Sequence, residues 1–288
     1  MIYINGEYFE KENAKISVFD HGFLYGDGIF EGIRVYNNLI FRLNDHLLRL
    51  YESAKTIALE IPLSFEEMNQ AVIETVRKNG LASCYIRLVV SRGYGDMGVD
   101  PRKCKKTTVV IIVTQINIYP PELYETGLSV AISAARRMRD DMLSPRIKSL
   151  NYLSNVMAKI EMNRQGMAEG IMLNSSGYVT EATVANIFIV KKGELLTPPK
   201  SVGLLEGITR NTIIELAKDA GITVKEELFT AFDLYNADEC FLTGTASEVV
   251  PVVSIDGRII GEKKAGPMSR RLLELFHVRT TWDGTKVI

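Results

Sequence analysis

The sequence predicts an α+β protein built as two domains, and three observations lead there. Runs with the two-residue period of strands are interspersed with runs of helical period, without the strand–helix–strand rhythm of a parallel fold. A proline-paired stretch with no period, NIYPPELYETG at 117–127, interrupts the chain. Its 288 residues are enough to bury two hydrophobic cores. The expected parts are a smaller N-terminal domain at 1–117, a linker loop at 118–127 and a larger C-terminal domain at 128–288.

In the first domain MIYINGEYF reads as a strand and turn, with no basic segment followed by an apolar run. IFEGIRVY (29–36) and LIFRL (39–43) flank Asn37-Asn38, where asparagine tolerates the positive φ of a tight hairpin. DHLLRLYESAKTIAL (45–59) sets Leu47, Leu50, Tyr51, Ala54, Ile57 and Ala58 on one helical face. Ser64 with Glu67 makes a capping box for a second helix, which Asn79-Gly80 ends. CYIRLVVSRG (84–93) and TTVVIIVTQI (107–116) read as buried strands joined by the loop YGDMGVDP.

The second domain opens on a strand, LSVAISAAR (128–136). A helix from about Tyr152 to Gln165 follows, with Leu153, Val156, Met157 and Ile160 on one face. Hairpins are expected at Asn174–Gly177 and at Lys192-Gly193, and a helix at 210–220 stops at Gly221. Strands near 222–227, 238–243 and 249–260 precede a last helix from Pro267.

Composition excludes several function classes. Hydrophobic residues make up 46% and charged residues 24%, the balance of an ordinary globular protein. With 34 Lys+Arg against 35 Asp+Glu, there is neither the basic excess nor the basic stripe that grips nucleic acid or anionic membranes. No stretch reaches the roughly 20 apolar residues that span a bilayer. The three cysteines, Cys84, Cys104 and Cys240, form no CxxC pair and no metal-ligand spacing with the three histidines. Free thiols, a cytoplasmic location, no metal and a small-molecule substrate are the expectations.

Four segments carry residues suited to chemistry. RIKSLNYLSN (146–155) puts Lys148 just before a helix, and YVTEATVANIFIV (178–190) puts Glu181 at the end of a hairpin strand. LLEGITRNTIIELA (204–217) opens a helix at Gly207-Ile208-Thr209, an anion cup that Thr209 could also cap. FLTGTASEVVPV (241–252) holds Gly244-Thr245-Ala246 in a tight turn with exposed amides and a hydroxyl. Taken singly, these are a solvated lysine, a hairpin carboxylate, a helix cap and a turn. Taken as a set, they are what pyridoxal phosphate demands: an amine, an acid for its ring nitrogen and donors for its phosphate.

The chain resembles the fold-type IV pyridoxal-phosphate enzymes, and among them the branched-chain aminotransferases. The likeness runs nearly end to end, through YINGEYF, DHGFLYGDGIFEGIR, HLLRLYESAK, YIRLVVSRG, GDMGVDP, KSLNYLSN, GYVTEATVANIFIV, LLEGITR and FLTGTASEVVPV. It implies the D-amino-acid-aminotransferase-like fold, a smaller N-terminal α/β sandwich with a larger C-terminal pseudo-barrel domain. By the same resemblance, Lys148 bonds the cofactor and shuttles the proton, and Glu181 keeps the ring nitrogen protonated. Arg49, Ile208, Thr209 and Thr245 hold the phosphate, Tyr152 meets the phenolic oxygen, and Leu205 lies against the ring.

The resemblance also implies the reaction, a ping-pong transfer from leucine, isoleucine or valine to 2-oxoglutarate. Tyr25, Phe30, Met97 and Val99 would be pocket wall, with Tyr25, Met97 and Val99 supplied by a second copy, so that a homodimer or higher homo-oligomer shares active sites. Tyr85 with Thr245 and Ala246 would take the α-carboxylate, and Arg87 the γ-carboxylate of glutamate. On amphipathic surfaces Arg49 and Arg87 also read as ordinary solvated or ion-paired residues, and Tyr85 and Tyr152 as core.

Three alternatives accompany this reading. KSLN without an inserted residue is similar to D-amino-acid aminotransferases, whereas Tyr85-Ile86-Arg87 and Tyr152 follow the branched-chain pattern. Aminodeoxychorismate lyase is a further same-fold alternative, and a non-catalytic cofactor-binding relative is the alternative from another class. One departure stands out: Ala182-Thr183-Val184-Ala185 occupies a run where the family has small or polar residues including glycine.

Overall fold

The structure is a computed structural model that describes residues 1–116 and 119–287. The chain divides into two compact units. The first is Met1–Ile116 with Ile147–Asn151 and Thr280–Ile288, and the second is Asn117–Arg146 with Tyr152–Arg279.

In the first unit, β1 (Ile2–Ile4) and β2 (Glu7–Phe9) are followed by α1 (His21–Tyr25), β3 (Gly28–Tyr36) and β4 (Leu39–Phe41). Helices α2 (Leu43–Thr56) and α3 (Phe65–Asn79) then lead to the long strands β5 (Cys84–Gly95) and β6 (Cys104–Thr114). With a C-terminal strand at Gly284–Lys286 they form a seven-stranded sheet, in the order C-terminal strand, β4, β3, β5, β6, β1, β2. Each pair is antiparallel. Alternation along β3 sends Ile29, Ile33 and Val35 into a core shared with Leu47 and Leu50 of α2 and Met68, Val72 and Val76 of α3. Phe30, Gly32 and Arg34 therefore lie on the other face, opposite Val89, Arg87 and Tyr85 of β5.

Local signals act here as expected. Asn37 and Asn38 both take positive φ in the β3–β4 turn. Ser64 and Glu67 close both bonds of the capping box, and Gly80 ends α3 in the left-handed region. Helix α2 stops at Thr56, short of the expected 59, and Ala58 turns left-handed. The reason is long-range, because Arg92 donates to the Ile57 and Ala58 carbonyls at 2.8 and 2.6 Å while pairing with Asp27.

Two stretches expected in the second domain pack in the first unit. Phe30 donates its N–H to the Lys148 carbonyl, and Leu150 its N–H to Gly28, both at 2.9 Å, so 147–151 is stitched to β3. The C-terminal strand, absent from the sequence reading, pairs with the edge of β4.

The second unit contains α4 (Glu122–Thr126), β7 (Leu128–Arg136), α5 (Leu153–Gln165), β8 (Glu169–Leu173) and β9 (Val179–Ala182). It continues with β10 (Asn186–Lys191), β11 (Glu194–Thr197), α6 (Ile208–Asp219), β12 (Val224–Glu226) and α7 (Ala231–Tyr235). It ends with β13 (Glu239–Gly244), β14 (Glu248–Ile255), β15 (Arg258–Ile259) and α8 (Pro267–Arg279). The strand path is β12-β11-β10-β13-β14-β7-β8-β9, with β15 on β14.

Only residues 183–185 separate the last strand of that path from β10, and the Ala182 N–H bonds the Ala185 carbonyl at 2.7 Å. That short link obliges the run from β10 to β9 to curl on itself, which is the expected pseudo-barrel. Val130, Ile171, Ile187, Leu242 and Val250 fill its core.

Asn117 and Ile118, where the expected domain boundary falls, lie outside the described residues. The rest of the expected linker is structured: it holds α4, and Tyr119, Leu123 and Tyr124 pack on the second core. The apolar face of α5 is exposed, with Leu153, Val156, Met157 and Ile160 at 73, 47, 54 and 40%. The helix buries Asn155, Ala158 and Met162 in its place.

Candidate active site

In the first unit, the β3–β5 register and the segment 147–151 bring together four of the expected residues. Phe30 presents its ring, with the Lys148 Nζ 4.8 Å and the Arg87 Cζ 4.5 Å from the centroid. Arg87 donates to the Tyr85 hydroxyl at 3.2 Å. Gly32 faces that hydroxyl, and a Cβ at this position would collide with it, so glycine keeps the space for Tyr85. Lys148 is half-buried rather than a solvated surface residue. Its backbone is fixed on both sides, by the Phe30 N–H and by the Ser53 hydroxyl, which accepts its N–H at 3.3 Å.

Arg49 projects from α2 into the interior. Its Nε and Nη2 donate to the two oxygens of Glu31 at 2.8 and 2.7 Å, and the His46 Nδ1 meets the same carboxylate at 2.7 Å. Burial alone would push the Glu31 carboxyl up, but Arg49 and His46 outweigh it and hold it far below the usual carboxylate range. Burial pushes His46 down in spite of Glu31. The solvated reading of Arg49 is thereby overturned.

Tyr25, Met97 and Val99 form a second cluster, exposed at 39, 66 and 80%. The Tyr25 hydroxyl accepts from the Gly98 N–H at 2.8 Å, and the His21 ring stands edge-on to Tyr25. Lys103 holds the Met97 carbonyl at 2.6 Å, so the loop is shaped by its own bonds while its apolar side chains face out.

In the second unit, Glu181 is buried on β9, and Arg137, Asn186 and Leu205 are among the residues that hold it. Arg137 Nη2 lies 2.8 Å from Oε1, Asn186 Nδ2 donates to Oε2 at 3.1 Å, and the Leu205 N–H reaches both oxygens at 3.1–3.2 Å. Asn186 also donates to the Leu205 carbonyl at 2.9 Å, which locks Leu205 to the strand that follows Glu181. Gly207 packs so closely on the Asn186 amide that a Cβ would not fit.

Gly207 is the N-cap of α6 and no side chain caps it, so the expected capping by Thr209 does not occur. The amides of the first turn, Ile208 and Thr209 among them, are thus left for an anion. The turn of Thr245 and Ala246 joins β13 to β14, beside the Val184 carbonyl and Ala185. Tyr152 takes the N-cap position of α5.

The departure between Glu181 and Asn186 has a structural partner. Thr183 is buried, its hydroxyl donates to the buried Glu169 at 2.5 Å, and its carbonyl accepts from Asn155 at 2.5 Å. Sequence reasoning missed Glu31, His46, Arg137, Asn155 and Asn186 as supporting residues. Glu31 stood within FEGIR, but no local pattern distinguishes Arg137 from a solvated arginine.

The residues fit pyridoxal phosphate by the chemistry of the donor set. There is a half-buried amine, a buried carboxylate pinned by donors, an uncapped helix start and two arginines with bidentate capacity. No helix among the described residues is long and apolar enough to cross a membrane. No group of three or more His, Cys, Asp or Glu among them could hold a metal ion.

Residues 28–255 match the family model of amino-transferase class IV. A Methanocaldococcus jannaschii protein provisionally named a branched-chain-amino-acid aminotransferase is 52% identical, over 99% of this chain and 98% of its own. The crystal structure of the Escherichia coli branched-chain amino acid aminotransferase superposes with a TM-score of 0.95 at 38% identity, covering 99% of this chain and 95% of that one. The branched-chain aminotransferase of the thermophilic archaeon Thermoproteus uzoniensis, solved with norvaline, gives 0.94 at 38% identity, covering 100% and 99%.

Proposed function

Because this chain belongs to the branched-chain-amino-acid aminotransferases of amino-transferase class IV, we propose that Lys148 and Glu181 carry its chemistry. The enzyme is pyridoxal-phosphate dependent and transfers the amino group of leucine, isoleucine or valine to 2-oxoglutarate, giving the branched 2-oxo acid and L-glutamate. The observation that carries the residue assignment is the arrangement of Lys148 and Arg87 around the Phe30 ring, an amine and a guanidinium sharing one apolar wall.

When bound, the cofactor would supply an electron-withdrawing ring and a carrier for the amino group. Lys148 Nζ is the group that would hold it covalently and would move the substrate's α-proton. Glu181 holds the proton on the ring nitrogen, a task that requires the carboxylate form. Arg49, the Ile208 and Thr209 amides, the Thr209 hydroxyl and Thr245 bind the phosphate. Tyr152 would meet the phenolic oxygen, and Leu205 would lie against the ring.

Tyr85, with Thr245 and Ala246, takes the α-carboxylate, and Arg87 takes the second carboxylate of glutamate. Phe30 supplies the apolar wall against which a branched side chain excludes water. Exposed Tyr25, Met97 and Val99, and separately the apolar face of α5, support a homodimer or higher homo-oligomer in which the exposed loop completes a neighbour's pocket. Three free thiols fit the reducing cytoplasm.

The test is a panel of L- and D-amino donors with 2-oxoglutarate and pyruvate as acceptors, run beside Lys148→Ala. The purified protein should gain visible absorption with pyridoxal phosphate and prefer branched L-donors, and Lys148→Ala should gain none. A wild type that stays colourless, or a Lys148→Ala variant that turns yellow and remains active, would overturn the assignment.

A further inference from the structure

A buried arginine outside the residues already assigned is aimed at Glu181. Arg137 lies one residue past the end of β7, where its N–H bonds the Leu173 carbonyl at 2.9 Å. Its side chain is 9% exposed, and the guanidinium is divided between two anchors. Nη2 meets Glu181 Oε1 at 2.8 Å, and Nη1 donates to Asn155 Oδ1 at 3.1 Å. Asn155 is itself fixed, because its Nδ2 donates to the Thr183 carbonyl at 2.5 Å and it receives the Ser154 hydroxyl at 3.2 Å.

Packing alone does not explain this cation. Its Nε is buried with no hydrogen-bond partner among the described residues, a cost that an apolar side chain of similar volume would avoid. What the guanidinium does achieve is specific. Among the bonds to Glu181, those from the Leu205 N–H and the Asn186 amide are neutral, and the one from Arg137 brings a positive charge. A buried carboxylate with neutral donors alone is pressed toward the protonated form, whereas a close cation keeps it anionic.

We propose that Arg137 is a positioning residue for Glu181, keeping its carboxylate anionic and fixed in orientation so that it can hold the proton of the cofactor's ring nitrogen. This rests on the reading of Glu181 given above. Arg137 touches neither cofactor nor substrate in this scheme, and it acts only through the carboxylate it holds. Asn155 and Thr183 extend the same chain of bonds, so the departure run 182–185 carries one end of the support for Glu181.

The experiment is a double-mutant cycle in the full-length holoenzyme with Arg137→Met, Glu181→Gln and the two combined. Three quantities are read: kcat and KM for leucine with 2-oxoglutarate, the dissociation constant of the apoprotein for pyridoxal phosphate, and the thermal midpoint of the apoprotein. Arg137→Met should lower kcat by roughly tenfold or more with KM for leucine within about threefold, and should weaken cofactor binding. Glu181→Gln should lower kcat further, and adding Arg137→Met to it should cost little more. Arg137→Lys, which restores the charge, should recover part of kcat and of cofactor affinity.

If Glu181→Gln is impaired while Arg137→Met turns over normally, the role of Arg137 is refuted and that of Glu181 stands. Equal losses from Arg137→Met in the wild-type and Glu181→Gln backgrounds also refute it, since the arginine would then act independently of the carboxylate. Normal turnover by Glu181→Gln instead overturns the reading of Glu181 itself. Should Arg137→Met fail to fold, the same cycle is read with Arg137→Lys, where full additivity with Glu181→Gln refutes the proposal.

Discussion

Arg49 and Glu31 form a two-pronged ion pair inside the first unit, with Nε–Oε1 at 2.8 Å and Nη2–Oε2 at 2.7 Å. Glu31 grips two of the three guanidinium nitrogens and so sets the plane in which Arg49 is presented. Removing one partner leaves a charge buried without its counter-charge. Arg49→Leu should therefore cost on the order of 3–5 kcal/mol of stability as well as cofactor affinity. Urea unfolding of the apoprotein checks this, and a change below about 1 kcal/mol would show that the pair is inessential to the fold.

The same cluster fixes the sign of the acid response. His46 and Glu31 both bind protons less readily folded than unfolded, so each stabilises the fold at higher pH and withdraws that support as pH falls. The loss begins near the ordinary histidine value of 6.5 and continues below the ordinary glutamate value of 4.5. Thermal midpoints measured from pH 7 to pH 3 should fall, and His46→Gln should flatten the upper part of that fall. An unchanged profile in the variant would rule His46 out as a contributor.

Arg87, proposed to take the second carboxylate of glutamate, bonds the Tyr85 hydroxyl and stacks on Phe30. Arg87→Leu should raise KM for glutamate and 2-oxoglutarate by roughly 10- to 100-fold, the loss expected for a hydrogen-bonded charge pair. The KM for leucine should stay within about threefold. Steady-state kinetics of the two half-reactions decide, and equal losses in both would remove the discriminating role.

Thr183 lies in the run 182–185 between Glu181 and Asn186, and its hydroxyl is bonded to the buried Glu169 carboxylate. Thr183→Gly strips that donor from a carboxylate whose other donor among the described residues is the Gly170 N–H at 2.7 Å. A stability loss of about 1–3 kcal/mol is expected from the unsatisfied acceptor. Denaturant titration is the check, and a neutral or stabilising result would mean that Thr183 does not support Glu169.

The thiols should be poor nucleophiles. Burial pushes Cys84 up to about 11, and it raises Cys104 and Cys240 as well. A disulfide reagent at pH 7 should label the native protein slowly and all three cysteines quickly in denaturant. Rapid native labelling would contradict the buried placement of Cys84 and Cys240.

The sequence by itself determined the local structure that depends on near neighbours. The Asn37-Asn38 turn, the Ser64–Glu67 box, the hairpins at Gly177 and Gly193 and the strand at 128–136 all form as expected, because φ preferences, caps and period act within a few residues. It also determined the family, since nine collinear segments fix the amine at Lys148 and the acid at Glu181 in order along the chain. Tertiary structure decided what those preferences leave open. Helix α2 ends where Arg92, from β5, takes the Ile57 and Ala58 carbonyls just past it, and the apolar face of α5 stays exposed. Arg49 and Arg137, each indistinguishable from a solvated arginine in the sequence, are buried on carboxylates 18 and 44 positions away. Charge pairing depends on distance in space, and sequence separation carries no information about it until the sheets close.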